Sequence, residues 1–180
     1  MALKGSPGIE TPGLLLRRPS PADAEAVFSR FSSDPDVTPY VGWPRHRVIE
    51  QTRAFLASSD AEWDRWATGP YLIESRTDQR LLGSTGLALE TPTVAATGYV
   101  LARDEWGQGY ATEALGAMVV LAREMEIRRL SAICHPANLA SVRVLEKCGF
   151  TLETLLKEYL EFPNLGAGGR VDCLRYSQSV

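Results

Sequence analysis

The stretch Trp106-Gly107-Gln108-Gly109-Tyr110-Ala111-Thr112-Glu113-Ala114 constrains this chain more than any other part of it. It stands between an apolar run, residues 96–101, that reads as a strand, and residues 110–126, whose apolar positions recur at helical spacing. Ala111, Ala114, Leu115, Met118, Leu121, Ala122 and Met125 form the apolar stripe of that helix. Glycines between a strand and a helix let the backbone turn tightly, and Ala111 keeps the helix start small. Several free N–H groups then converge at the positive end of the helix dipole, which makes an anion site. The spacing is neither that of a P-loop nor Gly-x-Gly-x-x-Gly, so a nucleotide-binding fold fits poorly. Taken alone, the pattern is as compatible with a plain strand-to-helix turn as with an anion site.

The rest of the chain supplies the order of elements. Strand-like runs occupy residues 14–18, 70–75, 81–89, 96–101, 130–134, 151–159 and 171–177. Ser20, Pro21 and Asp23 start a helix that buries Ala24, Val27, Phe28 and Phe31 and stops at Asp34-Pro35-Asp36. A second helix over residues 48–58 buries Ile49, Thr52, Phe55 and Leu56, and residues 60–66 read as a separate turn or helix. A last helix, residues 139–148, ends at Gly149 in the usual glycine fashion. Residues 37–47 and 162–169 read as loops, and Gly98 marks a point where a backbone or ligand comes close. The order βααβββαβαββ predicts one mixed α/β (α+β) domain over residues 1–180, with residues 1–12 as an N-terminal tail.

Composition removes other classes. The chain has 180 residues with 19 basic and 22 acidic side chains, a formal charge of −3, which argues against a nucleic-acid binder. Its longest apolar stretch, residues 114–122, is far short of the roughly 20 residues that span a bilayer. The N-terminus has no apolar segment of a secretory signal, so a cytoplasmic location without membrane attachment is expected. Cys134, Cys148 and Cys173 form no Cys-x-x-Cys pair, and His46 and His135 belong to no metal-ligand pattern. The thiols are read as small apolar side chains, and no metal is expected.

Residues 106–114 resemble the acetyl-CoA-binding motif of the GNAT N-acetyltransferases, in the variant of the ribosomal-protein-alanine N-acetyltransferase branch. A second block agrees: Asn138-Leu139-Ala140-Ser141, followed by Glu146-Lys147-Cys148-Gly149-Phe150, is similar to that branch's Asn-x-x-Ser and Glu-Lys-x-Gly-Phe segment. Gly98-Tyr99-Val100-Leu101 also fits the family's fourth strand, and the likeness spans roughly residues 14–177. The resemblance implies a mostly antiparallel twisted sheet flanked by helices and splayed between the family's fourth and fifth strands, here residues 96–101 and 130–134. It also implies acetyl-CoA as cofactor, with CoA as product. Trp106, Gly107, Gln108, Gly109, Tyr110, Ala111 and Thr112 would bind the cofactor, the amides of Gly107 to Ala111 cradling the pyrophosphate, and the backbone of Tyr99, Val100 and Leu101 would pair with the pantetheine arm. Asn138 and Ser141 match positions near the cofactor.

An amine must lose a proton before it attacks a thioester, and the departing thiolate gains one. Where many relatives carry an acid Tyr, this chain has Leu145, so Ser141 is the expected hydroxyl at the sulfur; a helix-satisfied serine is the plain alternative. Where relatives often carry a Glu on the fourth strand, this chain has Ala96 and Thr97. Glu90 is the candidate base, beside a water relay that needs no fixed base. By resemblance the acceptor amine lies between loops 40–47 and 162–169, walled by Tyr40, Trp43 and His46. Glu113 is read as a helix N-terminal carboxylate. Arg103, Arg143 and Lys147 either meet the phosphates or are solvated surface charges. The expected activity is transfer of an acetyl group to a primary amine, on a protein N-terminus or a small molecule, by a monomer or homodimer. The alternative is a catalytically silent acyl-CoA-binding sensor or interaction module.

Overall fold

Apolar alternation becomes strand at eight places in the computed structural model, which describes residues 8–180 except 167. In chain order the elements are β1 (Gly8–Glu10), β2 (Leu14–Arg17), α1 (Ala24–Val27), α2 (Ile49–Trp66), β3 (Pro70–Ser75) and β4 (Leu81–Thr91). They continue with β5 (Val94–Leu101), α3 (Tyr110–Glu124), β6 (Arg129–Cys134), α4 (Leu139–Lys147), β7 (Thr151–Glu161) and β8 (Arg170–Ser179). The strands form one sheet in the order β1-β2-β3-β4-β5-β6-β8-β7. Every neighbouring pair is antiparallel except β5–β6, which α3 joins as a parallel crossover. This is the mixed, mostly antiparallel sheet that the sequence predicts.

The parallel pair is short. Val94, Ala95 and Ala96 pair with Arg129, Leu130 and Ser131, and the ladder then ends. Beyond it β5 stays bonded to β4 as far as Leu101, and β6 stays bonded to β8 as far as Cys134. The two strands therefore splay between residues 97–101 and 132–134, and their facing backbone edges are left without a ladder partner.

Side chains alternate across β3, which has helices on both faces. Tyr71 and Ile73 join the main core with Leu14, Leu16, Leu82 and the α3 residues Ala114, Leu115, Met118, Leu121 and Ala122. Leu72 points the other way, into a smaller core with Val27, Phe31, Val37 and Leu81. Full burial of a Leu or Met side chain contributes about 1.5–3 kcal/mol, so the α3 stripe holds the crossover firmly against the sheet. No helix among the described residues is long and apolar enough to cross a membrane.

Three details depart from the sequence-based expectation. Gly8–Glu10 is a strand paired with β2, where a tail over 1–12 is expected; residues 1–7 of that tail lie outside the described residues. The first helix is a 3-10 turn, the single α-turn of α1 and a wider π-turn over Phe28–Ser32. Residues 49–66 are one helix, not two. Thr52, Leu56, Ser59 and Trp63 are buried as one continuous stripe, so the polar Ser58-Ser59-Asp60 triplet does not break it.

Glycine marks close approach in β4 more than in β5. A Cβ on Gly83 would overlap the carbonyl oxygen of Val100 and come within 2.9 Å of Leu101 Cα, whereas one on Gly98 would meet nothing within 4 Å. Gly83→Ala should therefore destabilise the domain by about 1–3 kcal/mol through overpacking. Gly98→Ala should stay within about 0.5 kcal/mol of the unaltered chain, as substitutions away from such contacts usually do. Urea denaturation midpoints check both, and equal midpoints for the two variants would contradict the β4–β5 register.

Candidate active site

Two cavities flank the splayed part of β5. One, of about 600 Å³, runs along Thr97–Leu101 to Trp106, Gly107, Ala111 and the start of α4. The other, of about 630 Å³, lies toward the loop between α1 and α2. Thr97, Gly98, Tyr99, Val100, Ile133, Tyr40 and Val41 line both, so a ligand in one cavity can meet a ligand in the other across the splay.

The glycine loop closes one end of the first cavity. Gly107 and Gly109 have φ of 77° and 88°, the left-handed region that L side chains rarely adopt, and a Cβ on either would meet nothing within 4 Å. The first intrahelical bond of α3 runs from the Glu113 amide to the Gly109 carbonyl at 3.1 Å. The amides before it are the helix's unsatisfied donors and form a cradle for an anion. No Lys or Arg lines this cavity, and its one charged lining residue is Asp36. Gln108, Gly109, Tyr110 and Thr112 belong to the loop and first turn without lining the cavity; Tyr110 packs against the core.

Two buried or half-buried carboxylates fix this loop. Glu105, 3% exposed, accepts from Arg30 at 2.7 Å and Arg80 at 2.8 Å. Glu113 Oε1 accepts from Thr11 Oγ1 at 2.6 Å and from the Gly13 amide at 2.7 Å, tying the start of α3 to the β1–β2 turn. Glu113 therefore anchors the hairpin as well as complementing the helix dipole. Trp106 donates its indole N–H to the Leu101 carbonyl at 3.0 Å. The Arg103 guanidinium stacks 4.4 Å over the Trp106 ring, and neither Arg143 nor Lys147 lines either cavity.

At the other end, Asn138 caps α4 by accepting from the Ser141 amide at 3.2 Å. The cap presents Ser141 to the cavity, and the Tyr99 hydroxyl donates to Ser141 Oγ at 3.3 Å. Burial raises the Tyr99 phenol above its ordinary value, so it stays protonated at neutral pH. Tyr99 enters the sequence reading only through its backbone; its hydroxyl reaches Ser141 only through tertiary packing. Cys134 lines the cavity as a buried thiol, pushed up to about 11 mainly by burial.

The second cavity is lined by Tyr40, Trp43 and His46, together with Phe31 and Phe55. Tyr40 packs on His135, and His135 on Phe162, each at 5.0 Å between ring centroids. Asn164, which local sequence patterns do not single out, latches the two loops together. Its amide donates to the carbonyls of Thr38 at 2.8 Å and Trp43 at 2.9 Å, and its oxygen accepts from the Arg45 amide at 2.8 Å. Glu90 is not brought to the site. It is an exposed residue near the end of β4, and it interacts electrostatically with Arg129 at the closed end of the parallel pair. The one carboxylate lining the second cavity is Glu62. Among the described residues no group of three or more His, Cys, Asp or Glu is placed to hold a metal.

Asn164→Ala removes three hydrogen bonds between the loops, each worth about 1 kcal/mol net. The Arg45 amide should then exchange with solvent roughly tenfold faster, while amides of β4 and β5 keep their protection. Unchanged Arg45 exchange would contradict the latch.

Residues 13–151 match the family model for the acetyltransferase (GNAT) domain. The chain is 31% identical over 157 residues to the uncharacterized N-acetyltransferase YoaA of Bacillus subtilis, covering 86% of this chain and 88% of that one. A GNAT-family acetyltransferase structure from Bacillus anthracis superposes with a TM-score of 0.83 at 26% identity, over 96% of this chain and 98% of the other. RimL, a ribosomal L7/L12 α-N-protein acetyltransferase in complex with coenzyme A, gives the same TM-score and coverage at 25% identity. The fold is thus shared over nearly the whole chain with acetyltransferases, and the chain belongs to the GNAT acetyltransferase family.

Proposed function

We propose that this chain transfers the acetyl group of acetyl-CoA to a primary amine, on a peptide N-terminus or a small molecule. The observation that carries this is the splay between residues 97–101 and 132–134, whose facing edges share no ladder, opening beside the left-handed Gly107 and Gly109. The edge of β5 at Tyr99, Val100 and Leu101, where the Leu101 carbonyl is already taken by the Trp106 indole, supports pairing with an extended amide-bearing chain, as an added strand does. Amides from Gly107 to Ala111 suit a pyrophosphate, and the absence of lysine and arginine from the lining is no obstacle to it. RimL, which the fold resembles, is described with coenzyme A and acts on a ribosomal protein N-terminus.

When bound, acetyl-CoA supplies the thioester whose acetyl group is transferred. The second cavity receives the amine among Tyr40, Trp43 and His46 and brings it to the splay from the opposite side. Ser141 would supply the proton that a departing thiol group takes up, and the Tyr99 hydroxyl, bonded to Ser141 Oγ, would replace it and regain its own from water. Leu145 occupies the place of the familiar acid Tyr, and the Tyr99–Ser141 pair supplies a hydroxyl in the same cavity.

Thiol release from acetyl-CoA should rise with one member of a panel of amines: peptides beginning with Ser or Ala, polyamines, aminoglycosides. CoA binding without release across the panel would favour a binding module instead. Ser141→Ala and Tyr99→Phe should each lower kcat by about 10²-fold and leave the KM for acetyl-CoA within about threefold. The double variant should be no slower than the worse single one, because the two hydroxyls act as a unit. Full turnover in either single variant would remove that hydroxyl from the mechanism.

A further inference from the structure

His46 stands in the acceptor cavity on a support built from buried hydroxyls. Its backbone amide donates to the Ser32 carbonyl at 2.9 Å. Its ring Nδ1 lies 2.8 Å from Thr52 Oγ1, which lies 3.2 Å from Ser32 Oγ. Ser32 and Thr52 are 1% and 0% exposed, and the Trp43 ring packs against the imidazole at 5.3 Å between centroids. The loop, the π-turn and α2 therefore fix the ring from three sides. Nε2 has no hydrogen-bond partner among the described residues, on a residue that lines the cavity.

We propose that Nε2 of His46 is the base that takes the proton from the acceptor ammonium, an assignment that rests on the acetyl-transfer reading above. With the proton of the neutral ring on Nδ1, Nδ1–H donates to Thr52 Oγ1 and the Thr52 hydroxyl donates to Ser32 Oγ. Nε2 then carries its lone pair toward the cavity. One N–H bond of the ammonium breaks and one Nε2–H bond forms. The amine nitrogen keeps the electron pair it needs for attack, and the imidazolium later returns the proton to water. Burial holds the ring below its ordinary value of about 6.5, so it is neutral and able to accept at physiological pH. The titratable groups that share the cavity are Glu62 on α2, Tyr40 on the same loop and Tyr99 on β5; Arg45 lies next to His46 in the chain, and so does Arg47. Arg30, from the π-turn packed beside the loop, is taken up by Asp104 and Glu105. Glu62, the other candidate in this cavity, is exposed and has no hydrogen-bonded support among the described residues.

The chain has two histidines, so imidazole resonances can be followed by NMR titration and assigned with His46→Gln. The His46 pKa should fall below 6.5, and kcat/KM for the acceptor should decline with falling pH at that same value. His46→Gln should lose this acidic limb and about 10²-fold in kcat/KM, with CoA affinity unchanged. Thr52→Val removes the acceptor for Nδ1–H and so should move the NMR pKa and the limb together to lower pH. A His46→Gln protein that keeps the limb and turns over within twofold of the unaltered chain overturns the assignment. So does a Thr52→Val protein whose NMR pKa moves while the limb stays, a comparison that decides the matter even where His46→Gln does not fold. Absence of transfer by the unaltered chain with every amine would instead overturn the acetyl-transfer reading.

Discussion

A parallel strand pair inside an antiparallel sheet needs a crossover, and the site of this protein depends on how briefly that pair is bonded. β5 and β6 share a ladder of three residue pairs and then part, each held on its outer side by an antiparallel neighbour. Backbone N–H and C=O groups that leave a ladder must find other partners. Here they face a cavity, and the crossover helix begins at the same end with its own unsatisfied amides. One topological fact thus supplies two polar surfaces at once, an extended edge and an amide cradle.

The remaining architecture holds these surfaces in place. Glu105 and its two arginines brace the turn before the glycines, and Glu113 pins the first turn of α3 to the β1–β2 hairpin. A carboxylate so near a helix N-terminus complements the dipole while its other bonds reach 100 residues back in the chain. On the acceptor side, Asn164 joins loops more than 100 residues apart in sequence. Under the proposed function a near-neutral chain, with 19 basic residues against 22 acidic ones, serves an anionic cofactor through fixed dipoles in place of a field of lysines.

What could be read from the sequence was local. The loop at residues 106–114, the apolar stripe of α3 and the Asn138–Ser141 start of α4 are each set by neighbours within a few turns, and each stands where it was predicted. Contacts made in tertiary space were not legible. Ser59 looks like part of a polar break, yet it continues the buried stripe begun at Thr52. Gly8–Glu10 is too short to announce itself and is a strand because β2 offers it an edge. Glu90 follows an apolar run that ends at Leu89 in the sequence, but β4 continues to Thr91, and its register with β5 carries the carboxylate away from the splay. Asn164 and the Tyr99 hydroxyl carry no local pattern at all; only the assembled loops and α4 give them roles.

The proposed cofactor site depends most on the amides at the start of α3, and calorimetric titration of CoA into Gly109 variants tests them directly. Gly109 has φ of 88°, so Gly109→Ala isolates the cost of strained backbone, while Gly109→Glu adds a negative charge beside the amides proposed to hold the pyrophosphate. Binding should weaken for Gly109→Ala and be unmeasurable for Gly109→Glu, with the circular dichroism of a folded domain in both. A folded Gly109→Glu protein that binds CoA as tightly as the unaltered chain would contradict the proposed site.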